Sequence, residues 1–133
     1  MHTLLVTIGR IILGLFFVAH GLMFAKALTD PQMMAGLSGY IASRGLPQPQ
    51  LIVYGVVAFE ILAGLAIVFG FLVAPIAFVL AGFCVATAVL FHNFWTMPGD
   101  KAPNEIAHFV KNIGLAGAFL VLAGESIRVR VAN

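Results

Sequence analysis

Apolar residues fill four long runs of the chain, residues 4–24, 51–70, 71–91 and 105–124, and the polar residues gather mostly between them. At ~1.5 Å rise per residue, twenty helical residues reach ~30 Å, the thickness of a bilayer's hydrocarbon core. The pattern therefore predicts four membrane-spanning helices. The second and third runs abut, and one helix through both would be too long for the bilayer. Gly70 supplies a residue tolerant of the left-handed conformation that ends a helix, and Pro75 suits the first turn of the next. A tight turn is predicted there.

In the first run, a step of ~100° per residue puts Arg10, Gly14, Phe17 and Gly21 on one stripe, with His20 to one side. Glycines on a stripe let helices approach closely, so this is read as a packing face. A cleaved signal peptide is the competing reading, because a basic residue precedes an apolar run. The length of the run, and the absence of small residues gathered at one cleavage site, favour a retained span.

The stretch 28–50 opens with Asp30-Pro31, an N-cap followed by proline at the first helical position. Met33, Met34, Leu37, Tyr40 and Ile41 recur at helical spacing until Gly45. A short amphipathic helix at the membrane interface is predicted, then an extended segment over 46–49, with an ordered loop as the alternative. Between the third and fourth runs, Pro98-Gly99-Asp100 and Pro103 mark a loop, and Trp95 falls where an interfacial aromatic belt is expected. The fourth helix is expected to start near Asn104 or Glu105, with Glu105 at its positive end, and to leave a short tail over 125–133.

Composition agrees with this pattern. Of 133 residues, 62% are hydrophobic and 9% charged, where a soluble domain carries roughly a quarter charged. The expected fold class is all-α, an integral membrane four-helix bundle with a short interfacial helix between spans one and two, forming a single domain over 1–133. The net charge of +2 is scattered, which argues against nucleic acid as a partner. Cys84 is the sole cysteine, which excludes an intrachain disulfide or a Cys-x-x-Cys pair and suits an inert small hydrophobe. Four spans put both termini on one side. Arg10, Arg128 and Arg130 lie toward that side, and Lys26, Arg44 and Lys101 toward the other, so basic residues divide evenly. The arginines at the C-terminus incline the expectation toward cytoplasmic termini.

Glu60 stands in the centre of the second run, where exposure of a carboxylate to lipid costs several kcal/mol. Measured from the face with the two long loops, Glu60 lies ~13 Å deep, Lys111 ~10 Å, His108 ~5 Å and Arg10 ~20 Å. His20 falls a few ångströms below that face, and His92 falls at it. Asn104, His108, Lys111, Asn112 and Leu115 share one face of the fourth helix. Turned inward, these faces would gather Arg10, Glu60, Lys111 and Asn112 near the midplane, with His20, His108 and His92 above them as a rim. The expected catalytic residues are Glu60, by proton exchange, and Lys111, by meeting a ligand carbonyl; ligand binding is expected of Arg10, His20, His92, His108 and Asn112. The alternatives are an Arg10 that snorkels to the near surface and a Glu60–Lys111 pair that only clasps the bundle. Three histidines near one face invite a metal or haem, but no His-x-x-x-His or Glu-x-x-His pair supports it, and no metal site is assigned.

Arg10 with Gly14 and Gly21, the Gly45-Leu46-Pro47 of the loop, Glu60 with Gly64, and Lys111-Asn112 together resemble the DoxX family of small bacterial membrane proteins, from about residue 7 to 124. Such proteins often carry a basic residue just after the turn between spans two and three, where this chain has Val73, Ala74 and Pro75. The resemblance implies a four-helix bundle in the inner membrane. For a few relatives it also implies redox work, beside a terminal oxidase or within a thiosulfate:quinone oxidoreductase. The expectation that follows is an accessory or subunit of a quinone-linked redox system, in sulfur metabolism or oxidative stress, with the bilayer, a quinone and a redox protein as partners. A non-catalytic scaffold or assembly factor is the alternative. Transport of a small solute or proton ranks third, because four spans are few and no inverted repeat is visible.

Overall fold

The computed structural model describes residues 1–131. Its helices are α1 (His2–Ala25), α2 (Pro31–Ser43), α3 (Pro49–Phe69), α4 (Val73–Phe91) and α5 (Ala102–Val131), with one-turn 3-10 helices at Lys26–Leu28 and Phe94–Thr96. The described residues contain no strand, so the all-α class holds. Four of the helices are long and apolar enough to cross a membrane. Large apolar side chains face outward on each, among them Leu62 at 66% exposed, Phe78 at 67% and Val121 at 74%. Such surfaces are stable against lipid tails and not against water.

The chain divides into two compact units, Met1–Phe71 and Leu72–Asn133. In the first, α1 packs along α3. The stripe read from the sequence is its inner face, because Gly14, Phe17 and Gly21 are the buried residues of α1. A Cβ on Gly14 would lie 2.7 Å from the Gly64 carbonyl oxygen, and one on Gly64 would lie 2.7 Å from that of Gly14. Backbone therefore meets backbone, which only glycine permits. Gly14 faces Gly64 and Val68, whereas Gly21 faces Glu60 and Ile61, so the two helices run antiparallel. The residue numbers of facing positions add to about 80, which sets the end of α1 level with residue ~55 and leaves ~9 Å of α3 projecting beyond it.

That projection is where α2 packs. Met34, Ser38 and Ile41 are buried, and Ser38 shares a shallow groove with Gln48, Pro49, Gln50, Leu51 and Tyr54. Asp30 caps α2 as its sequence foretold: its Oδ1 accepts from the backbone N–H groups of Gln32 at 2.9 Å and Met33 at 3.2 Å. The segment before α3 departs from expectation. It is not extended throughout, since Gln48 is left-handed at φ 49° and Pro49 already opens the helix. Proline has no N–H to leave unsatisfied in a first turn and its φ is preset, so the helix starts there and Gln48 takes the strained turn.

The long apolar run breaks where Gly70 predicted. Gly70 adopts φ 80°, and the Phe71 N–H returns to the Ala66 carbonyl at 2.8 Å, which closes α3 in a Schellman turn. Leu72, left-handed at φ 44°, then precedes α4.

In the second unit α4 pairs with α5. Small residues of α4 (Ala74, Ala77, Ala81, Cys84, Ala88) are buried opposite a core to which α5 gives Phe119, Leu122 and Ala123. Cys84 is fully buried. α5 starts earlier than expected and does not stop at Gly124: it runs 30 residues, or ~45 Å, more than a bilayer core needs. Glu125 holds the added turns, accepting from Arg128 Nε at 3.0 Å and Nη2 at 2.7 Å, an i,i+3 pair of the kind that supports exposed helix. Residues 132–133 of the expected tail, and the Arg130 side chain, lie outside what the structure describes.

Candidate functional site

Each unit carries its own polar cluster. In the first, Glu60 is 2% exposed, held on the buried face of α3 among Val53, Val57, Ala63, Gly64 and Ile67. Its partner comes from α1. His20 Nδ1 lies 2.8 Å from Glu60 Oε2, and among the described residues it is the only hydrogen-bond partner of that carboxyl group. The imidazole is 36% exposed along its side chain and lies between two rings of its own helix, stacked on Phe16 at 6.1 Å and tilted against Phe24 at 4.7 Å. Gly21 makes the approach possible, since a Cβ there would stand 3.1 Å from Glu60 Cβ and 2.8 Å from Ile61 Cγ1. His20 therefore sits level with Glu60 and is not a rim above it. The depth count assumed that both helices begin at the same face, whereas α3 projects past the end of α1.

Arg10 does not turn to Glu60. It reaches away from it, to the end of α3 beside Gly70, as the alternative of a near-surface arginine has it, and it is held there by main-chain acceptors. Its Nη1 donates to the carbonyls of Ile67 and, at 2.7 Å, Val68. These belong to the last turn of α3, where carbonyls lack intrahelical donors and the helix dipole is negative. A guanidinium from the neighbouring helix thus closes that end, and a Cβ on Gly70 would come within 3.2 Å of Arg10 Nη1. The site of the first unit is therefore a carboxyl–imidazole pair, with a separate arginine clasp seven residues further along α3.

In the second unit the end of α4 meets the start of α5. His92 Nδ1 lies 2.9 Å from Glu105 Oε2, and the His92 ring stacks on His108 with centroids 5.0 Å apart and planes 18° from parallel. Phe94, Trp95 and Phe109, from the same two segments, pack edge-on against one another at 5.2–5.8 Å. Glu105 was expected to serve only the helix dipole; it also anchors His92. Lys111 is exposed on α5, and Asn112 is half-buried beside it. Among the described residues no group of three His, Cys, Asp or Glu side chains is arranged to hold a metal ion.

Sequence reasoning brought Glu60 and His20 into one list of candidates but did not pair them, and it missed the Glu105–His92 contact. The signal for the first pair is the register of the glycines. Once Gly14 is set against Gly64, His20 falls opposite Glu60.

Comparison with known proteins places the chain in a family. The DoxX family model matches residues 5–93, a stretch that contains Arg10, His20, Glu60 and His92. The inner membrane protein YphA of Escherichia coli K12 is 37% identical over 121 residues, covering 90% of this chain and 81% of that protein. The inner membrane protein YqjF of the same organism is 35% identical over 118 residues, covering 89% and 81%. No solved structure matches the chain. With a family model over most of its length and two relatives this similar, the chain belongs to the DoxX family.

Proposed function

We propose that this protein resides in the bacterial inner membrane, with cytoplasmic termini, as an accessory or subunit of a quinone-linked redox system in sulfur metabolism or oxidative stress. The observation that carries the reading is the Glu60–His20 pair: an ionisable carboxyl, 2% exposed, bonded to a half-exposed imidazole in an otherwise apolar helix pair. Ionisable groups at such depth are costly, and they mark functional sites by default. The names of both relatives support the location. The C-terminal arginines support the orientation.

The residues present fit a quinone. His20 offers a polar ring edge beside the aromatic faces of Phe16 and Phe24, and Glu60 offers a group that holds or releases one proton. A bound quinone supplies two-electron, two-proton chemistry, with the electrons exchanged with a partner redox protein. The part of this chain is to bind and orient the ring, keep bulk water away and hold a proton at Glu60 Oε2. Lys111, Asn112, His108 and His92 are the further polar candidates, on α5 and at the end of α4. Purified protein in lipid nanodiscs retains quinone on this reading. Glu60→Gln preserves the fold and abolishes redox coupling, and Lys111→Met tests the lysine in the same assay. Failure of the wild type to retain any quinone defeats the proposal.

The second reading, a scaffold, is favoured by one observation: Arg10 and Glu60 both have internal partners, so the helix pair is satisfied without a ligand. It predicts that Glu60→Leu with His20→Leu keeps the cellular phenotype of the wild type.

A further inference from the structure

Among the described residues Glu60 has one hydrogen-bond partner, and that partner has an exposed side. We propose that His20 is the proton gate of Glu60: protons reach and leave the buried carboxyl through the imidazole, entering at Nε2 and passing from Nδ1 to Oε2. The inference adds a route to the site of the preceding section. It stands on the geometry of the pair and not on the identity of the ligand.

Side-chain exposure is 3% for Glu60 and 36% for His20, so the carboxyl is covered within the α1–α3 pair while the ring that touches it reaches the surface of that pair. The contact at 2.8 Å uses Nδ1, and the second ring nitrogen, Nε2, lies on the far side of the five-membered ring from it. The other ionisable side chain packed between α1 and α3 is Arg10. It is committed to carbonyls at the end of α3, seven residues or ~10 Å from Glu60, so it is not the route.

The proton count closes in both directions. With Glu60 ionised and the ring neutral, Nδ1–H donates to Oε2 and Nε2 presents a lone pair. A proton taken up at Nε2 makes an imidazolium. Transfer of the Nδ1 proton to Oε2 then leaves a neutral carboxyl, whose O–H donates back to Nδ1, and a neutral ring carrying its proton on Nε2. Release runs the same steps in reverse. The pair as a whole moves from one negative charge to none, so uptake removes an ion from a region where ions are expensive. Phe16 and Phe24 hold the ring plane, which keeps Nδ1 aimed at the carboxyl throughout.

The test uses the full chain in nanodiscs without added quinone. The carboxyl stretch of protonated Glu60 is assigned by its loss in Glu60→Gln, and its response to a step in bulk pH is followed by time-resolved infrared spectroscopy. His20→Phe keeps an aromatic ring against Phe16 and Phe24 but removes both nitrogens. The relay predicts that the Glu60 response slows by ~10²-fold, the low end of what a positioned proton-transfer group contributes. Free imidazole should restore the rate in His20→Ala. A wild-type rate in His20→Phe overturns the relay, and so does an absence of rescue, which would give His20 a packing role only. Should His20→Phe lose thermal stability, His20→Gln keeps a hydrogen bond to Glu60 without a titrating nitrogen, and the same rate criterion applies. Quinone retention, measured separately, distinguishes the failure of this inference from the failure of the function it serves.

Discussion

Gly14→Ala is the sharpest test of how the first unit is held together. The added methyl would lie 2.7 Å from the Gly64 carbonyl oxygen, 2.7 Å from Val68 Cγ2 and 2.9 Å from the Val68 backbone nitrogen. Two of these atoms are backbone and cannot swing aside. Ordinary contact begins at 3.4 Å, so α1 and α3 must part by ~0.7 Å at this level. Overpacking of this kind costs up to ~3 kcal/mol, offset by the ~1 kcal/mol that alanine gains over glycine inside a helix. The net loss is ~2 kcal/mol, about 30-fold in the folded-to-unfolded ratio. His20 lies six residues or ~9 Å along α1, and its 2.8 Å bond to Glu60 has little room to stretch before it fails. Reversible unfolding in mixed micelles of rising dodecyl sulfate fraction, followed by circular dichroism, measures the effect. Gly9→Ala is the control, because a Cβ at Gly9 meets nothing within 4 Å on the same helix; it should be neutral or gain up to ~1 kcal/mol. If both variants unfold at the same dodecyl sulfate fraction, the close backbone approach of α1 and α3 is refuted.

Three further outcomes are expected. Arg10→Leu removes the donor from the Ile67 and Val68 carbonyls and should cost ~1.5–3 kcal/mol in the same micelle assay, with Arg10→Lys recovering part of it; an unchanged midpoint would mean that the clasp is not held in lipid. Asp30→Ala should lower the stability of α2 by ~1 kcal/mol, visible as faster amide exchange at Gln32 and Met33 while α3 stays protected. Glu105→Ala releases His92, and Trp95, the single tryptophan, should report the loosened turn as a red-shifted emission; an unmoved emission maximum would show that the pair does not hold that turn.

What could be read from the sequence was set by local chemistry. The cap at Asp30, the stop at Gly70 and the glycine stripe of α1 each need only a few neighbouring residues, and all three stand in the structure as expected. Relations between helices were less legible. The pairing of His20 with Glu60 depends on a stagger of α1 against α3 that no single helix encodes, and it emerges only when Gly14 meets Gly64. Arg10 was misplaced for a related reason: the acceptors it uses are main-chain carbonyls, which every residue has and no sequence pattern marks. The left-handed conformations of Gln48 and Leu72 belong to residues that favour them weakly, so only Gly45 and Gly70 signalled their turns in advance. The length of α5 was hidden by charge, since Glu125 and Arg128 read as the end of a span but stabilise the helix beyond it.

The arrangement of α1 against α3 also sets the order of events during synthesis. The two side chains of α1 that bond to α3, Arg10 and His20, are satisfied by residues between Glu60 and Val68. When α1 leaves the ribosome those residues have not yet emerged from it. An arginine alone in a bilayer costs ~3 kcal/mol on insertion scales, and translation at 5–20 residues per second takes on the order of a few seconds to reach Val68. For that interval the first helix is a poor membrane resident, carried by its apolar flanks or sheltered by the insertion machinery. It becomes a settled one when the chain supplies its counterpart.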